Sequence, residues 1–73
     1  MADDELAAVA ASFEAVADEL ETAAAHARRA GEHFGEREVP RGSAHALALR
    51  GHLRRAERAL QAIEELHATR ARV

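Results

Sequence analysis

Gly35-Glu36-Arg37-Glu38-Val39-Pro40-Arg41-Gly42 is the stretch of this 73-residue chain that interrupts an otherwise helical pattern, and its place near the middle decides the fold. Pro40 lacks a backbone N–H and its ring clashes with the preceding turn of a continuous helix, and it disfavours helical geometry at Val39. Outward from this break, apolar residues recur at alternating spacings of three and four. Upstream they are Leu6, Val9, Phe13, Val16, Leu20, Ala23, Ala27, Ala30 and Phe34. Downstream they are Ala46, Leu49, Leu53, Ala56, Leu60 and Ile63, with His67 and Arg70 continuing the stripe. This is the spacing of a and d positions on coiled-coil helices.

The reading is therefore all-α: a single helical-hairpin domain over 1–73, with helix 1 at about 4–34, a turn at 35–42 and helix 2 at about 43–71. Asp3 or Asp4 is expected to cap the first helix and Ser43 the second, with Gly35 as the left-handed residue after helix 1. A short turn between helices of this length makes them antiparallel neighbours.

Alanine supplies 20 of the 73 residues, and the other apolar side chains number fifteen. Such a thin core predicts self-association of the coiled-coil-like hairpin into a four-helix bundle. With Leu6 at an a position, the e positions of helix 1 are Ala10, Ala17, Ala24 and Gly31, an uncharged small ridge that admits another helix closely. Ala59 and Leu66, at g on helix 2, extend the proposed homodimer surface. A GC-rich genome accounts for much Ala and for Arg replacing Lys throughout. It does not account for where the small residues fall.

The net charge of −3 hides an asymmetry. Residues 1–36 carry nine carboxylates against two Arg, while residues 37–73 carry eight Arg against four Glu. Glu14, Asp18 and Glu21 form an acidic stripe, and Arg50, Arg54 and Arg58 a basic one. Like charges four apart repel within each helix, and a partner of opposite sign would offset this. The basic turn end also suits a larger protein partner. An acidic total with two aromatic residues is not that of a nucleic-acid binder. Without cysteine, disulfides and thiolate chemistry are excluded. An acidic N-terminus and the absence of a long apolar run give no signal peptide and no membrane span, so a cytoplasmic chain is expected.

The histidines carry the most specific chemistry. His26 and His33 are seven apart at g on helix 1, and His45 and His52 are seven apart at g on helix 2. In an antiparallel pair g faces g, which sets His26 against His52 and His33 against His45. Facing imidazoles are ligands for Zn, Ni, Cu or Fe, with Glu32 and Glu36 placed to join or orient them. A pH-sensitive contact and simple packing of ring edges are the other readings of the same geometry. Glu64 and His67 make a Glu-x-x-His spacing of the kind di-iron bundles use, although helix 1 offers only Glu14 opposite. Neither Ser12 nor Ser43 has a nucleophile context, and no glycine loop for phosphate is present. The functional expectation is an interaction or assembly module rather than an enzyme, with a His-rich metal-binding bundle as the alternative.

Overall fold

A computed structural model describes residues 2–71, and the side chains of residues 2–68. Two helices, α1 (Asp3–Gly35) and α2 (Val39–Ala71), pack against each other in a rod of 56 × 18 × 12 Å. Among the described residues there is no strand, and no helix is long and apolar enough to cross a membrane.

The connection is far shorter than the eight residues expected from the sequence. Residues 36–38 alone separate the two helices. Gly35 stays helical, and the left-handed residue is Arg37, with φ 63°. Around it the Arg37 N–H donates to the Phe34 carbonyl at 3.1 Å and the Glu38 N–H to the His33 carbonyl at 2.7 Å. That is the paired bonding of a Schellman motif with arginine where glycine is usual. The next helix starts at once, because the Gly42 N–H donates to the Glu38 carbonyl at 3.0 Å. Pro40 does not break it: in the first turn its missing N–H has no intrahelical acceptor to lose. Ser43 consequently sits inside α2 and caps nothing. At the other end Ala2, not Asp3 or Asp4, holds the capping position without a side-chain bond. Asp3, Asp4 and Glu5 occupy the first turn, where carboxylates suit the positive end of the helix dipole.

The helices meet along a different seam from the one the apolar stripe suggests. On α1 the residues turned inward are the d row (Val9, Val16, Ala23, Ala30) together with the g row (Glu5, Ser12, Glu19, His26, His33). On α2 they are Gly42, Leu49, Ala56 and Ile63 with Glu38, His45, His52 and Ala59. Ala23 at 2% and Ala56 at 5% exposure are the only buried apolar residues among those described. The physical reason is size. Alanine and glycine let the backbones approach, and the g side chains satisfy each other by hydrogen bonding. The bulkier a row does not fit between them. Leu6, Phe13, Leu20, Phe34, Leu53 and Leu60 remain 39–52% exposed. Because the helices are antiparallel, the a rows of both lie on the same face of the hairpin. Arg70 of the stripe lies outside the described side chains.

Candidate functional site

The g rows build a continuous file of polar groups between the helices. Residue i of α1 meets residues 71−i and 78−i of α2, so imidazoles alternate from the two helices. His33 stacks on His45 with centroids 5.2 Å apart and planes 13° from parallel. His45 and His26 approach Nδ1 to Nδ1 at 2.9 Å, and His26 stacks on His52 at 5.4 Å and 16°. Both facing pairs expected from the heptads thus stack, and the His26–His45 contact joins them into one ladder.

Each end of the ladder closes on a carboxylate. His33 Nδ1 lies 2.9 Å from Glu38 Oε2, and His52 Nδ1 lies 2.5 Å from Glu19 Oε2. A carboxylate only accepts, so both end rings carry their proton on Nδ1. In the middle, one of His26 and His45 donates from Nδ1 and the other accepts, which couples their tautomers. Arg55 donates through Nε to Glu19 at 3.3 Å. Its Nη2 also stands 2.9 Å from His52 Nδ1, a contact beside the ring because that nitrogen's proton is directed to Glu19.

The charges respond to this packing. Burial, then the neighbouring rings of His26 and His33 and the Arg29 cation, hold the His45 pKa below the ordinary 6.5, with Glu32 opposing. The Glu19 carboxyl is held below its ordinary 4.5, chiefly by its hydrogen bond with His52 and further by Arg55, against a smaller opposing effect of burial.

The four histidines form a file, not a ring around one point. Among the described residues, the donors that converge in a group of three are His33, Glu36 and Glu38, whose ligand atoms all lie within 4.8 Å of one another. Glu36 was legible from its nearness to His33 in sequence. Glu38 was not, because its return onto His33 depends on the left-handed Arg37. Glu19 and Arg55 were likewise missed as ladder partners, although Glu19 shares the g row with His26 and His33. Glu32 pairs loosely with Arg29 at 3.6 Å and bonds no imidazole. Glu64 and His67 are exposed and border an apolar groove with Val9, Phe13 and Leu60, where α1 presents no ligand. Ser12 donates its hydroxyl to the Ala8 carbonyl at 3.0 Å.

The residues expected from the sequence to self-associate divide between two places. Ala10, Ala17, Ala24 and Gly31 run beside the exposed a row of α1. Ala59 is half-buried in the hairpin seam, and Leu66 borders the groove by Phe13. Arg50, Arg54 and Arg58 are exposed along the outer edge of α2.

No protein-family profile, characterised protein or solved structure matches the chain.

Proposed function

We propose that this chain is an assembly module whose working form is a four-helix bundle of two hairpins. The observation that carries this reading is the uncovered a row, six large side chains on one face of a molecule whose only buried apolar residues, among those described, are two alanines. A globular monomer of this mass exposes about 4,400 Å², whereas this chain exposes 5,647 Å². The excess, about 1,200 Å² per chain, is of the size that stable dimers bury. Covering the remaining halves of six Leu and Phe side chains is worth about 5–9 kcal/mol per chain.

The heptads fit a second copy as the occupant. In a four-helix bundle the a and d rows fill the core, g faces one neighbouring helix and e faces the other. Here g already faces the hairpin partner. The small e ridge of α1 then meets α2 of the second copy, whose e residues are Arg50, Glu57 and Glu64. Their long stems lie readily over alanine. Charge selects the same arrangement. With α1 of one copy antiparallel to α2 of the other at the hairpin's own register, Glu21 stands level with Arg50 and Arg54, and Asp18 level with Arg54 and Arg58. Both turns then lie at one end of the bundle. Setting α1 on α1 instead opposes two acidic stripes.

Light scattering on wild type and on Phe13→Glu/Leu53→Glu tests the reading. Wild type is expected at twice the chain mass and the variant at the chain mass. A wild-type monomer that unfolds cooperatively at tens of micromolar overturns it.

A further inference from the structure

We propose that the turn end of the hairpin is a binding site for a divalent transition-metal ion of zinc-like chemistry, held by His33, Glu36 and Glu38. This goes beyond the assembly reading and does not depend on it. The three donors come from one short segment, but sequence proximity alone does not bring them together. His33, in the last turn of α1, and Glu36, the residue that follows the helix, are three apart and so lie on the same side of its end. Glu38 would point away if the helix continued. It returns because Arg37, at φ 63°, reverses the chain, and because the Glu38 N–H is tied to the His33 carbonyl at 2.7 Å. The result is three ligand atoms, one from each residue, within 4.8 Å of one another, and His33 Nδ1 lies 2.9 Å from Glu38 Oε2. Donors around a zinc-sized ion at ~2.1 Å stand about 3–3.5 Å apart, so closing the set needs side-chain shifts of about an ångström.

The chemistry of the set narrows the ion. Two carboxylates and a neutral imidazole supply a charge of −2 to a dication. An imidazole among the ligands favours Zn, Fe(II), Ni or Cu over Ca and Mg, which take oxygen donors. Three protein ligands leave coordination positions to water. Stacking on His45 fixes the plane of the His33 ring. Binding through Nδ1 requires that nitrogen to release its proton to Nε2 or to solvent, so the Glu38 hydrogen bond is exchanged for two metal bonds. The competing cation is Arg41, whose Nη1 lies 3.4 Å from Glu38 Oε2 on a largely exposed side chain.

Zinc titration of the chelator-stripped 73-residue chain near neutral pH, read by competition with a chromophoric chelator, tests the assignment. Wild type is expected to take one Zn²⁺ per chain at micromolar affinity or tighter. Glu36 is exposed and its carboxylate holds no other group among the described residues, so Glu36→Gln should leave the circular dichroism unchanged and weaken binding at least about tenfold, as loss of groups bearing on a metal does. Arg41→Gln, which removes the competing cation, should tighten it. Glu32→Gln should bind as wild type does, and so should His26→Ala/His52→Ala. Wild-type binding weaker than micromolar overturns the proposal. Unchanged affinity in Glu36→Gln overturns it too, and zinc lost instead with His26 and His52 would place the ion on the ladder.

Discussion

The ring of Phe34 rests on the bare α-carbon of Gly42: a Cβ built on Gly42 would lie 2.5 Å from Cε2 and 2.6 Å from Cδ2 of that ring. This contact clasps the last turn of α1 to the first turn of α2. Gly42→Ala should gain about 1 kcal/mol of helix propensity but must displace the ring, and overpacking costs about 1–3 kcal/mol. Net destabilisation of about 1 kcal/mol is expected from denaturant melts. In a Phe34→Ala background the same change has no ring to displace and should become stabilising. Equal effects in both backgrounds would show that the ring contact is energetically irrelevant.

Arg37 occupies left-handed backbone that costs an L-residue about 1–2 kcal/mol and glycine nothing. Glycine loses more entropy on folding, up to about 1 kcal/mol, so Arg37→Gly should stabilise the hairpin by about 0.5–1 kcal/mol. Arg37→Val should destabilise it, since a branched Cβ tolerates this region worst. Thermal melts of the two variants should bracket wild type, and a melting temperature below wild type for the glycine variant contradicts the turn geometry.

Acid should weaken the far end of the ladder. The folded Glu19 pKa lies below its ordinary 4.5, first because of the His52 hydrogen bond. A depressed carboxyl pKa means that the unfolded chain takes up the proton first as pH falls. The contribution is therefore complete above the unfolded value and is lost as pH falls below 4.5 through the folded value. Stability measured against pH should show a shallower acid limb in Glu19→Gln than in wild type. Parallel limbs would mean the carboxylate is not held by the fold.

The helices and their antiparallel pairing were legible because each rests on a local rule repeated over many residues. The apolar period spans four heptads in α1, and one proline marks the reversal. The facing of the g rows followed from the same period, which is why the stacked histidine pairs could be read in advance. The turn was misread because its residues obey the exception to each rule. Gly35 has the chemistry of a left-handed residue but stays helical, and Arg37 takes that role under the pull of the two Schellman bonds. Pro40 reads as a breaker, but in a first turn it breaks nothing. The choice of seam was also hidden. Periodicity locates an apolar stripe without saying which edge of it a single partner covers. Ala23 and Ala56, the buried apolar residues among those described, mark the edge that is covered. The convergence of Glu38 on His33 required the turn, and so could not precede it.

Charge exchange tests how two copies meet. A chain with Arg50, Arg54 and Arg58 changed to Glu carries acidic outer edges on both helices, and one with Glu14, Asp18 and Glu21 changed to Arg carries basic ones. Each alone should fail to dimerise at low salt, because like edges oppose one another. Mixed, they should restore the dimer mass, since every acidic edge then faces a basic one, and added salt should weaken the gain. Geometry is tested separately. The chain has no cysteine, so Ser43→Cys, exposed beside the turn, accepts a single pyrene label. Turns at one end of the bundle bring two labels close enough for excimer emission. Turns at opposite ends separate them by a helix length, about 50 Å for 33 residues, and abolish it. Excimer emission from the labelled wild-type dimer, lost in Phe13→Glu/Leu53→Glu, is the expected result. A dimer without excimer would assign the hairpins the opposite orientation and remove the charge-pairing argument with it.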